Sequence, residues 1–265
     1  MARSCVFCGR GPVTAEDVFP RWLGAYLGRR PTYTVTGAGI GTTHWGGYRG
    51  LSMTARVKRV CKGCNNGWMS QLETAAAPIL KPMLTETISV SLSGGATGSL
   101  SILAKWAMKT ALMIQYAHRS PAIPGMIYQE FHRTQLPPPQ CWMFLARHMK
   151  RGIPNGANSI QWRVDGPPGP RGEVTHWGEM YGTTFSIANL VVQLIGYVPT
   201  VTGASGTFQV DLPQASLPYV ERLWPPSGSG AWPLQRPVLD DAGLLAFSRA
   251  LTGMKATRSG LMQFL

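Results

Sequence analysis

Acidic residues are scarce in this chain. Twelve Asp and Glu stand against 25 Lys and Arg over 265 residues, a formal net charge of +13. Between Val18 and Gln71 there is no acid at all, while Arg21, Arg29, Arg30, Arg49, Arg56, Lys58, Arg59 and Lys62 crowd the same stretch. Residues 1–151 carry 18 basic side chains and only Glu16, Asp17, Glu73, Glu86 and Glu130 as acids, whereas residues 152–265 balance at seven of each. A basic field confined to one part of the chain suits a polyanion, and nucleic acid is the usual one. A solvated basic face without a partner is the blander alternative. Long apolar runs are missing too. The longest, at 100–117, is interrupted by Lys105, Lys109 and Gln115, which excludes a bilayer span. The opening MARSCVFCGR lacks the apolar stretch of a secretory signal. These absences predict a soluble, cytoplasmic protein without a membrane partner. Five cysteines in a reducing compartment do not make a disulfide framework.

What is present is enough for a folded domain or two. Hydrophobic residues make up 44% of the chain, which argues against wholesale disorder. The 31 Gly and 21 Pro predict many turns rather than long regular elements. TAEDVFP reads as a strand ending at Pro20, and RWLGAYLGRR as a short helix. The Gly- and Thr-rich section 31–55 reads as a loop or small hairpin. ARVKRVC alternates apolar and basic side chains, the pattern of a half-exposed strand, and a helix is expected to lead away from Cys64. In the run at 100–117, Leu103, Trp106, Ala107, Thr110, Ala111 and Ile114 share one helical face, with Lys105 and Lys109 on another. Strand-like segments follow at 141–148, 183–198 and 206–213, and a last helix starts from an Asp cap near 240. The class is α+β, with a cysteine-bearing unit at 1–85 and an α+β unit at 86–265.

Four of the cysteines form two Cys-x-x-Cys pairs, Cys5/Cys8 and Cys61/Cys64. Two such pairs are the usual supply of thiolates for a closed, tetrahedral structural zinc. A redox dithiol needs only one pair, so the duplication favours metal. Cys141 lies in an apolar run and reads as a buried core thiol.

The residues beside the pairs carry more information. CVFCG followed by T-x-E-D-V-F-P-R-W-L, then C-x-x-C-N-N-G-W-M-S-x-L-E, resembles the HNH endonuclease superfamily. The similarity is to its zinc-bound bacterial branch, in which an acid–His–Val–Phe–Pro–x–Trp–Leu strand pairs with Cys-x-x-Cys-Asn-x-x-Trp. The run Trp-Ala-x-Lys-Thr-Ala at 106–111 also looks like the helix that follows in that branch, so the resemblance covers roughly residues 5–117. It implies a ββα-metal unit, followed here by a helix and a mostly antiparallel β region. A zinc knuckle would hold hairpin and helix around a second, catalytic Mg²⁺ or Mn²⁺.

Carried over by position, Glu16 takes the place of the acidic metal ligand and Asn65 that of the helix-borne ligand. Asp17 stands where the family has its general-base His. An ordinary Asp has a pKa of about 3.9 against about 6.5 for His, so it is the weaker base near neutral pH. His44 is the only imidazole between the two motifs and is the other candidate base, supplied from the loop. On a regular strand Glu16 and Asp17 point to opposite faces unless the backbone bulges. Their plainer alternative is a turn or cap beside a basic surface. Two functions follow from the resemblance. One is a metal-dependent hydrolase of nucleic-acid phosphodiesters, acting on DNA. The other is a zinc-stabilised nucleic-acid-binding module that has lost the chemistry. Arg21, Arg29, Arg30, Arg56, Lys58 and Arg59 are the candidate phosphate contacts.

Overall fold

The computed structural model describes residues 3–26, 34–38, 54–117, 122–149, 156–165, 170–173, 175–200, 209–212, 214–226, 228–249, 254–256 and 261–264. Gly9, at φ 73°, turns the chain back after Cys8, and the turn closes through Cys5 N–H to the Arg10 carbonyl at 2.8 Å. That conformation is open to glycine at little cost. Strand β1 (Val13–Asp17) then pairs antiparallel with β3 (Arg56–Cys61), with a bulge between Thr14 and Ala15. Between them lie the short helix α1 (Arg21–Tyr26), starting just after Pro20, and β2 (Thr34–Ala38). The section 31–55 is therefore not wholly loop or local hairpin. β2 pairs in parallel with a strand far along the chain, β6 (Gly156–Asp165), and a partner that remote leaves no mark on the local sequence.

After β3 comes the single turn α2 (Lys62–Cys64), then a π-helical segment at Asn65–Met69, then α3 (Ser70–Thr85). The expected helix does lead away from Cys64, but it kinks at Gly67, the one residue there with non-helical angles. Strand β4 (Val90–Leu92) precedes α4 (Ser99–Ala117). Ser93 and Ser99 cap the start of α4 reciprocally, each backbone N–H donating to the other's hydroxyl at 2.8 and 3.2 Å.

Helix α4 is buried on nearly every face, packed by α3 on one side and by β3 and the large sheet on others. The face apart from the apolar one on which the sequence places Lys105 and Lys109 is therefore not a solvent face. Lys105 is half-buried, and Lys109 has no exposure at all. A helix surrounded by other elements has no outer face on which to place a cation. Helix α5 (Gly125–Thr134), which the sequence reading passes over, packs Ile127, Tyr128 and Phe131 inward.

The main sheet has six strands in the order β10-β5-β8-β7-β6-β2, antiparallel except for the β6–β2 edge. It comprises β5 (Cys141–Arg147), β7 (His176–Ile187), β8 (Leu190–Pro199) and β10 (Val220–Trp224) besides β6 and β2. The apolar stretch at 183–198 divides into β7 and β8 around Ala188, whose φ is 54°. Both faces of the central strands are covered. In β5, Cys141, Met143 and Leu145 join the core around α4, while Trp142, Phe144 and Ala146 join a second core under α6 (Asp241–Arg249). The alternation is there, but with both faces apolar it reads in the sequence only as a continuous run. Cys141 is fully buried, as expected, and its burial pushes the thiol's pKa up. The expected Asp cap is Asp240, which accepts Gly243 N–H at 2.7 Å. Strand β9 (Gln209–Asp211) joins β12 (Met254–Ala256) and β13 (Leu261–Phe264) in a small sheet, and β11 (Gly230–Trp232) pairs with β4. No helix among the described residues is long and apolar enough to cross a membrane.

One carbonyl ties the two ends of the chain together. Met83, near the end of α3, accepts from Trp232 Nε1 at 2.8 Å and from Asn189 Nδ2 at 3.0 Å. Removing either donor by Trp232→Phe or Asn189→Ala should cost about 1–2 kcal/mol. The double variant should cost more than the sum, because the buried carbonyl then has neither donor. Urea unfolding of the four proteins measures the difference.

Candidate metal centre and adjoining cleft

The two cysteine pairs meet because β3 runs back past the N-terminal turn. Val6 N–H donates to the Arg59 carbonyl at 3.0 Å, and Val13 lies opposite Cys61 in the β1–β3 ladder. Cys61 closes β3 and Cys64 ends α2, so a single turn aims both sulfurs at the first pair. All four sulfurs lie within 4.8 Å of one another, with Cys8 and Cys61 3.5 Å apart. Four thiolates about 2.3 Å from a tetrahedral zinc would sit roughly 3.8 Å apart, so these side chains can hold a metal ion such as zinc. Cys5, Cys61 and Cys64 are buried and Cys8 is partly exposed, which is a closed arrangement. Burial pushes the Cys8 and Cys64 thiols up in pKa. Burial acts the same way on Cys61, but hydrogen bonding from the Cys64 backbone and the other cysteines outweighs it and lowers this thiol to about 7. Phe7 and Trp68 pack edge-on beside the cluster at 5.1 Å, and Trp68 meets Phe131 of α5 at 5.6 Å.

Two hollows flank this unit. The larger, about 970 Å³, opens beside the cysteines and is lined by no carboxylate. The carboxylates lie in the smaller cleft of about 450 Å³, lined among others by Glu16, Asp17, Arg21, Arg56, Asn65 and Glu73. Glu16 and Asp17 come from β1, Asn65 from the residue after Cys64, and Glu73 from the first turn of α3.

Behind Glu16 and Glu73, beneath the cleft, lies a buried ion-pair cluster. Lys109 Nζ lies 3.7 Å from Glu16 Oε1 and hydrogen-bonds Glu73 Oε1 more closely still. Burial raises the Glu16 carboxyl to about 7, and Glu73 and Asp17 add to the push, while Lys109 opposes it. A carboxyl raised this way takes up a proton on folding between its ordinary 4.5 and about 7, so its contribution to stability falls as pH rises through that window. At the rim, Asp17 is held by two guanidiniums. Arg21 Nε donates to Oδ2 at 2.7 Å, and Arg56 Nε lies 3.1 Å from Oδ1.

The structure thus brings together Cys5, Cys8, Cys61 and Cys64 at one point, and Glu16, Asp17, Asn65, Arg21 and Arg56 around the cleft. The bulge at Thr14–Ala15 lies ahead of the two acids, which keep regular register opposite Val57 and Arg56, and their carboxylates engage different cations, Glu16 the buried Lys109 and Asp17 the exposed Arg21 and Arg56. Lys58 is exposed on β3, while Arg59 stacks over the Tyr116 ring at 5.1 Å. His44, Arg29 and Arg30 lie outside the described residues. Glu73 and Lys109 are the members the sequence reading misses. Glu73 follows Asn65 by two helical steps of four, a spacing that could have flagged it. Lys109 carried a weaker signal, a cation inside an apolar helical run. No family model matches this chain, and no curated protein or solved structure matches it.

Two outcomes test this centre. Purified protein should carry about one zinc per chain by elemental analysis, and Cys61→Ser should lose most of it along with stability of the N-terminal unit. Lys109→Met should cost about 3–5 kcal/mol at pH 8, since breaking a buried pair leaves charge unpaired. The cost should shrink at pH 5, where Glu16 is protonated and less charge is stranded. Unfolding curves at the two pH values read both effects.

Proposed function

We propose that this chain is a metal-dependent nucleic-acid phosphodiesterase of the HNH type, acting on DNA, in which the cysteine cluster holds a structural zinc. One observation carries the reading. A strand acid, Glu16, and two side chains of the following helical segment, Asn65 and Glu73, line a single cleft with Arg21 and Arg56. The hairpin of β1 and β3 with α3 behind it is read as the ββα-metal unit that the sequence motifs imply. Glu16 and Asn65 have the oxygen donors that suit a hard divalent cation such as Mg²⁺ or Mn²⁺. A cation held there supplies electrostatic stabilisation to a leaving 3′-oxygen. The chain's own contribution is to bind and orient the substrate. The arginines meet phosphate, and the zinc-stapled hairpin keeps the ligands in register.

A second reading, a binding module without chemistry, is favoured by the charge pairing in the cleft. Each of its three carboxylates already faces a cation of the chain: Asp17 faces Arg21 and Arg56, and Glu16 and Glu73 share Lys109. The decisive measurement is nicking of supercoiled plasmid with Mg²⁺, with Mn²⁺ and with EDTA. Under the enzyme reading, either ion supports nicking and EDTA stops it. Glu16→Ala and Asn65→Ala then lower the rate by about 10²-fold or more with zinc content unchanged. DNA binding without nicking selects the module. In both cases, neutralising Arg56, Lys58 and Arg59 together should flatten the slope of log affinity against log salt by about 2–3, since each lost phosphate contact removes about 0.9.

A further inference from the structure

We infer that Asp17 is the anchor of a two-arginine phosphate clamp rather than the proton acceptor its position in the motif suggests. The inference rests on the nucleic-acid reading above but not on whether the bond is cut. Both oxygens of this carboxylate are engaged, Oδ2 by Arg21 Nε at 2.7 Å and Oδ1 by Arg56 Nε at 3.1 Å. A general base needs a free lone pair within reach of the proton it takes. Here each oxygen is already paired with a guanidinium, which cannot be deprotonated and does not relay a proton.

The same contacts turn two flexible side chains into one binding element. Arg21 is 78% exposed and Arg56 49%, while Asp17 is only 20% exposed. Two exposed guanidiniums would otherwise repel each other and sample many rotamers. A carboxylate between them screens the repulsion and fixes both before a ligand arrives, which lowers the ordering cost of binding. Arg56 is held further by Nη2 donating to the Ala15 carbonyl at 3.2 Å. A guanidinium has five N–H donors, so most of each fork remains for a ligand. The triad carries a net single positive charge. It lies on the same cleft as Glu16 and Asn65. Forked donors on a cationic element match the oxygens of a phosphodiester, and bidentate pairing of this kind is the strong form of phosphate contact. Asp17 is then a positioning residue acting through Arg21 and Arg56.

The test exploits a difference in sign. Removing a negative charge from a DNA-binding surface should by simple electrostatics tighten binding. If Asp17 anchors the clamp, Asp17→Asn weakens it instead, because the amide holds at most one of the two guanidiniums by its remaining oxygen. Binding of a fluorescein-labelled 20-base-pair duplex, followed by anisotropy at fixed low salt, should weaken about 5–10-fold for Asp17→Asn. Arg21→Lys and Arg56→Lys keep the charge and lose the fork, and should weaken binding to a similar extent. Adding Arg21→Lys to Asp17→Asn should change little more, since the two act as one unit. Where nicking is measurable, the loss appears in KM, with kcat within about twofold of the parent protein. Zinc content and melting temperature of each variant confirm that the fold is intact. Unchanged or tighter binding by Asp17→Asn overturns the clamp, as does a loss confined to kcat. A parent protein that binds neither duplex, single-stranded DNA nor RNA overturns the nucleic-acid reading itself, and the clamp with it.

Discussion

A lysine with no contact to solvent sets the arrangement of the N-terminal half. Lys109 sits in the middle of α4, and an ammonium there is tolerable only if opposite charge is brought to it. Glu16 supplies it from β1 and Glu73 from α3, so three elements distant in sequence are held to one point. The pairing is electrostatically specific in a way that apolar packing is not. Sliding β1 by one residue against β3 would exchange Glu16 for Asp17 or Ala15 and leave the lysine facing the wrong group. The cysteine cluster acts on the same hairpin from its other end. Convergence of the four cysteines at Cys61 and Cys64 and charge pairing at Glu16 together leave β1 and β3 little freedom of register.

The shortage of acids takes on meaning in this light. Residues 1–151 hold five carboxylates, and four of them have assigned cations: Glu16 and Glu73 with Lys109, Asp17 with Arg21 and Arg56, and Glu86 with Arg147. The Glu86–Arg147 pair, bidentate at 2.8 and 2.9 Å, ties the end of α3 to β5. Nearly every acid in this half is thus committed to organising the molecule. Arg21 and Arg56 share a single carboxylate and Lys58 is exposed on β3, so this face keeps a net positive charge able to attract a polyanion.

The C-terminal half is the platform for this unit. Its sheet presents one apolar face to α4 and the other to α6, so the helix that carries Lys109 is pressed between α3 and the strands. Trp232 and Asn189 meet the Met83 carbonyl of α3, and β4 is paired by β11 from near the end of the chain. These contacts place the ion-pair cluster beneath the cleft within a core continuous from Phe7 to Leu234. A local site therefore depends on packing contributed by residues far along the sequence.

Much of the candidate site was legible in the sequence because its signals are local. Cys-x-x-Cys spacing, an acid two residues before Phe-Pro, and an Asn directly after Cys64 are each contained within a few residues. The basic field needs only counting. The strands at 13–17 and 56–61 and the helix over 99–117 follow from short-range pattern and propensity. What the sequence left open was every relation between segments. The depth of Lys109 depends on how many neighbours surround α4. The strand at 34–38 is stabilised by a partner more than a hundred residues away, and β5 hid its two-fold pattern because both of its faces are covered. The two cations that occupy Asp17 come from different elements, and only the folded chain brings both to one carboxylate. Long-range pairing and burial are properties of the assembled core, and side-chain order alone does not encode which charge will meet which.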